Sequence, residues 1–92
     1  MSEWIERDVE VINKLGLHAR AATRLVQLAA GFDAQICLSQ GEQQAEADSV
    51  LGILLLQGSQ GKTVTVRCQG PDADDAMEAV CNLFAARFDE AE

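Results

Sequence analysis

The chain has one histidine, His18, in the run Lys14-Leu15-Gly16-Leu17-His18-Ala19-Arg20-Ala21-Ala22. Helical periodicity begins directly after it, so His18 is expected where a loop becomes a helix N-terminus, with a guanidinium two residues on. Such an end presents unpaired N–H groups and roughly half an elementary positive charge, which favours anions. A neutral imidazole is a competent nucleophile near physiological pH. Together these features point to a histidine that accepts a phosphoryl group and a helix end that stabilises it. A bare histidine is more often a surface or capping residue, so the weight falls on Arg20. A cation in a first helical turn opposes the dipole by a few tenths of a kcal/mol. Its guanidinium would offer a fork of donors to phosphate oxygens, the competing reading being a solvated arginine.

Ser49 has two readings. One is an N-cap hydroxyl worth about 1 kcal/mol. The other is a phosphorylation site, where Asp48 beside it would repel the added charge; the cap is favoured. After it, Val50, Leu51, Ile53, Leu54, Leu55 and Leu56 exceed what one face of a short helix can bury. They form either an exposed patch for a partner or a fully buried strand or hydrophobic mini-core. Gly58-Ser59-Gln60-Gly61-Lys62-Thr63 lacks the glycine spacing of a phosphate-binding loop and precedes a strand, so it supplies no nucleotide pocket. The phosphoryl group must come from another protein.

With 92 residues, 48% of them hydrophobic, one domain over residues 1–92 can form a core without a metal or disulfide staple. A formal net charge of −8 argues against nucleic acid or anionic lipid as the main partner, although Lys14, Arg20 and Arg24 cluster around His18 in sequence. No segment has the length or apolarity of a signal peptide or a membrane span, so a cytoplasmic protein is expected. Cys37, Cys68 and Cys81 match no zinc pattern and have no second histidine beside them; they read as free packing thiols, with no metal and no cofactor expected.

The elements that must carry these residues follow from periodicity. Ile5, Val9 and Val11 recur at even spacing, a half-buried strand interrupted by Arg7 on its apolar face. Residues 13–17 form a loop, and residues 19–30 a helix with Ala22, Leu25, Val26, Leu28 and Ala29 as its apolar stripe and Gly31 as its stop. Ala34, Ile36 and Leu38 give a second strand, residues 43–47 a short third one, and Ser49 caps a short helix over residues 50–56. Val64, Val66 and Cys68 mark the last strand. Gly70-Pro71-Asp72 opens the last helix, whose Ala73, Ala76, Met77, Val80, Leu83, Phe84 and Phe88 fall at helical spacing, while Asp72, Asp74 and Asp75 suit its positive end. The acidic end Asp89-Glu90-Ala91-Glu92 is expected to fray. The order βαββαβα predicts an α+β layer, antiparallel strands covered on one face by helices.

Gly16-Leu17-His18-Ala19-Arg20 resembles the active-site signature of the HPr family, phosphocarriers of the phosphoenolpyruvate-dependent phosphotransferase system. Ser49-Val50-Leu51-Gly52-Ile53-Leu54 resembles the family's regulatory-serine helix, and the similarity runs over about residues 9–88. Asn13-Lys14-Leu15-Gly16, Gly31-Phe32-Asp33-Ala34 and Glu46-Ala47-Asp48-Ser49-Val50 resemble its nitrogen-related branch, NPr. The resemblance implies an open-faced β-sandwich, a four-stranded antiparallel sheet with three helices on one face. It implies that Nδ1 of His18 takes a phosphoryl group from Enzyme I and passes it to an Enzyme IIA of a sugar or nitrogen-regulatory phosphotransferase system, an intermediate in transfer rather than a stand-alone enzyme. It further implies that Arg20, with the Ala19 and Arg20 N–H groups, stabilises the phosphate, and that Thr23, Arg24, Val50, Leu51 and Leu54 dock both partners. Ser49 occupies the position that a kinase phosphorylates in some branches, and a monomer is expected. The alternative is a regulatory module that binds a transcriptional regulator or an enzyme through the Ser49 helix. One departure is Ala21, where the family usually has proline; alanine forms helices well, so the helix is expected to start at the same place.

Overall fold

The computed structural model describes residues 3–90. Its elements run in the order β1 (Ile5–Glu10), α1 (Ala19–Ala29), β2 (Gln35–Gln40), β3 (Gln43–Glu46), α2 (Val50–Leu55), β4 (Thr63–Gln69) and α3 (Ala73–Ala85), followed by a short turn, Arg87–Asp89. The strands form one antiparallel sheet in the order β1-β4-β2-β3. This is the expected α+β layer, a four-stranded antiparallel sheet with three helices.

Alternation decides which face is covered. Val64, Val66 and Cys68 of β4 and Ile36 and Leu38 of β2 are buried and join one core with Ala22 and Leu25 of α1, Ile53 of α2 and Ala76, Val80 and Phe84 of α3. The residues between them on β4 point away from the helices. Arg7 fits because β1 lies at the sheet edge: it stands opposite Val66 in register yet is exposed. Cys68 is fully buried, and burial, together with Cys81 and Cys37 nearby, pushes its thiol up to about 11. It is therefore a packing group rather than a nucleophile.

Two expectations need correction. The last helix does not reach Phe88; it ends at Ala85, and the backbone reverses through Arg87, Phe88 and Asp89, all at positive φ (56°, 54° and 64°). Helical spacing misled because Phe88 is buried anyway, its ring edge-on to Phe84 with centroids 4.9 Å apart. Nor do Asp89 and Glu90 fray: their carboxylates are paired with Arg24 and His18, which lie 65 and 72 residues away in sequence. Ala91 and Glu92, also expected to fray, lie outside the described residues.

Smaller boundary differences follow from capping and pairing. α1 stops at Ala29 with Ala30 as its C-cap, and β3 ends at Glu46, beyond which the Ala47 N–H still bonds to Ile36. The apolar run after Ser49 is a helix, not a strand: the Ser49 hydroxyl accepts from the Gly52 N–H at 3.0 Å, the capping geometry that starts a helix.

Candidate functional site

His18 is the N-cap of α1. Its backbone is extended (φ −85°, ψ −179°), and its carbonyl accepts from the Ala22 N–H at 2.8 Å. The loop before it is locked by backbone. The Leu17 N–H donates to the Gly58 carbonyl at 2.8 Å, and Gly16 sits at φ +67° where a Cβ would come 2.4 Å from that same oxygen. Only glycine fits such a close approach in a left-handed conformation. Gly58 in turn leaves room for the Leu17 side chain, which a Cβ there would meet at 2.6 Å. The two loops interlock, which fixes where the histidine emerges.

The two ring nitrogens of His18 face different partners. Nδ1 accepts from the Arg20 backbone N–H at 3.3 Å, and Nε2 contacts the Glu90 carboxylate. A carboxylate can only accept, so the ring proton belongs on Nε2 and the Nδ1 lone pair points at the helix end. Below the ring lies Asn13, the one buried polar side chain among the described residues. Its amide donates to the Gly16 carbonyl and to the other Glu90 oxygen, both at 2.8 Å. Burial pushes the Glu90 carboxyl up, but the hydrogen bonds from Asn13 and His18 and the nearby charges of His18 and Arg20 outweigh it and hold it below the ordinary carboxylate value.

The rest of the site is basic and open. The Arg20 side chain is 67% exposed, with its guanidinium 3.9 Å from Glu90. Arg24, one turn along, pairs with Asp89 at 3.0 Å, an exposed contact worth at most about 1 kcal/mol. A shallow depression here is bounded by Lys14, Leu15, the two arginines and the turn from Phe88 to Glu90. That turn is strained: three successive non-glycine residues in the left-handed region cost roughly 1–2 kcal/mol each. The burial of Phe88 and the two carboxylate contacts hold it in place.

The structure therefore brings His18, Arg20 and Arg24 to one helix end. Thr23 is exposed on α1 and back-bonds to the Ala19 carbonyl at 2.8 Å. On α2, which packs against α1, Leu51 is 67% exposed, whereas Val50 and Leu54 are half-buried against the core. Leu55, at 62% exposure, shares the Leu51 face. Leu55 was read in the sequence as part of the apolar run offered to a partner, though not among the docking residues. Asn13, Asp89 and Glu90 were missed in the sequence, and none had a local signal. Ala21 is fully buried in the first turn, and α1 starts at Ala19 without a proline there. No helix among the described residues is long and apolar enough to cross a membrane.

The family model described as PTS HPr component phosphorylation site matches residues 5–86. Among curated relatives, phosphocarrier protein NPr of Shewanella violacea is 56% identical over 87 residues, covering 95% of this chain and 96% of that protein. Phosphocarrier protein HPr of Cupriavidus necator is 46% identical over 88 residues, covering 96% and 99%. Among solved structures, HPr-C-His from Thermoanaerobacter tengcongensis superposes with a TM-score of 0.90 at 36% identity, covering 96% of this chain and 99% of that one. The chain belongs to the HPr family of phosphocarrier proteins of the phosphotransferase system.

Proposed function

We propose that this protein accepts a phosphoryl group on Nδ1 of His18 from Enzyme I, which draws it from phosphoenolpyruvate, and hands it to a histidine of an Enzyme IIA. The observation that carries the proposal is the ring orientation at the α1 N-terminus: Nδ1 faces the Arg20 N–H, so a group added there meets helix-end donors and a guanidinium. Catalysis in such a relay is mostly positioning and charge stabilisation, with the partner supplying the remainder. The exposed Leu51 on α2, with Thr23 and Arg24 on α1, supports a docking surface that both partners use in turn, half-buried Val50 and Leu54 supplying its floor. The identity with a protein named NPr supports a nitrogen-regulatory rather than a sugar-transport relay. A monomer acting in the cytoplasm over a single domain of residues 1–92 completes the proposal, with Ser49 as a helix cap open to regulatory phosphorylation.

Incubation with phosphoenolpyruvate and cognate Enzyme I tests it. The expected product is an acid-labile, base-stable phosphate that is absent from His18→Ala. No labelling of the parent protein contradicts the proposal. The exposed leucine also favours a second reading, a regulatory module acting through the Ser49 helix. Binding of a regulator that survives His18→Ala but fails in Leu51→Asp would select it.

A further inference from the structure

We infer that Glu90 is a positioning residue for His18: its carboxylate holds the ring proton on Nε2, keeps the Nδ1 lone pair available and balances the positive charge that the ring gains as the N–P bond forms. The inference rests on the histidine relay proposed above and adds a residue that neither the sequence signature nor the family match singles out.

Three independent observations carry it. First, the ring is gripped at both nitrogens by groups of opposite kind, an N–H at Nδ1 and a carboxylate at Nε2. A carboxylate behind an imidazole does this in acyl-transfer triads, where it fixes the tautomer and stabilises the imidazolium. Second, Glu90 is itself positioned. Asn13, buried and tied to the Gly16 carbonyl of the histidine loop, donates to the carboxylate oxygen that His18 does not use. Third, the chain adopts an unfavourable backbone to bring Glu90 there: Arg87, Phe88 and Asp89 all lie at positive φ, pinned by the Phe88 ring and by the Asp89 pair with Arg24. A strained, over-determined segment that ends on the nucleophile is a functional arrangement. The Glu90 carboxyl lies below its ordinary value, so its negative charge faces the ring at neutral pH.

The transfer step balances. The Nδ1 lone pair bonds to the phosphorus of a partner's phosphohistidine, whose P–N bond breaks with the pair returning to the donor ring. The proton stays on Nε2 throughout, so the His18 ring passes from neutral to formally cationic and Glu90 neutralises it. Onward transfer reverses this, the ring leaving with its pair as neutral imidazole. Arg20, Arg24 and Lys14 lie at the same helix end for the phosphate oxygens, while Asp89 is engaged by Arg24.

Glu90→Gln keeps the shape and removes the charge. Two quantities are read in the full chain: the rate of His18 phosphorylation by phosphoramidate, a donor that needs no partner protein, and the Nε2–H resonance of 15N-labelled His18. The expected result is phosphorylation about tenfold slower, the loss of one charge-assisted hydrogen bond, together with loss of a slowly exchanging Nε2–H signal that the parent protein shows. An unchanged rate overturns the inference. So does a slower rate with the Nε2–H signal intact, because that makes Glu90 merely structural. A parent protein that takes no phosphate at His18 overturns the relay itself, a failure distinguishable from either.

Discussion

The N-termini of α1 and α3 carry opposite charge patterns, although both start helices of more than ten residues. α3 has Asp74 and Asp75 in its first turn, and Asp72 at its cap accepts from the Asp33 N–H at 2.7 Å, tying that end to the neighbouring loop. α1 has no acid in its first turn; its cap is an imidazole and its second residue is Arg20. Acids at a helix start stabilise by about 0.3–1 kcal/mol each, and a cation there does the reverse. α3 therefore has the end that folding alone would select. α1 forgoes that stabilisation and keeps a positive end open to an anion; the carboxylates that reach it, Glu90 at the His18 ring and near Arg20 and Asp89 at Arg24, come from the far end of the chain.

Making α1 resemble α3 is the strongest way to break this contrast. Ala19→Glu places an acid on an exposed first-turn position. Phosphorylation of His18 by Enzyme I should slow about tenfold through competition for Arg20 and repulsion of the incoming phosphate, while thermal stability holds or rises slightly. An unchanged rate would mean that the open end has no part in transfer.

Acid probes the Glu90 contact with a smaller effect. The Glu90 carboxyl is lowered in the folded state from its usual value of about 4.5, so its contribution to stability is fully present above that pH. It shrinks as the pH falls below about 4.5 and is gone once the pH has passed the depressed folded value. Amide exchange in residues 87–90 should rise through that window before the sheet loses protection; protection of the turn that persists at lower pH than that of the sheet would count against the contact. The smallest effect belongs to Asp74→Asn at α3. Unfolding should cost a few tenths of a kcal/mol less and the midpoint should drop by about 2 °C, with phosphorylation unaffected.

The parts of this molecule legible in the sequence are those set by local pattern. Alternation along Val64, Val66 and Cys68 marked a strand, Ser49 marked a helix start, and the run Gly16 to Arg20 marked the loop-to-helix junction where His18 now sits. The run 50–56 was ambiguous because an apolar segment without a polar face has no period to read, and only its capping serine separated helix from strand. The turn 87–89 was illegible for two physical reasons. No glycine or asparagine flagged its left-handed backbone, and Phe88, four residues after Phe84, kept helical spacing while the chain left the helix. Glu90 and Asn13 were hidden because their partnership spans 77 residues and depends on where the turn ends, which no local signal encodes.

The most direct test of the central claim is the bond itself. The protein, 15N-labelled at histidine and phosphorylated through Enzyme I and phosphoenolpyruvate, should show one 31P–15N coupling, at the Nδ1 nitrogen of His18, with the proton retained on Nε2. Coupling at Nε2, or phosphate on a residue other than His18, would contradict the account of this helix end.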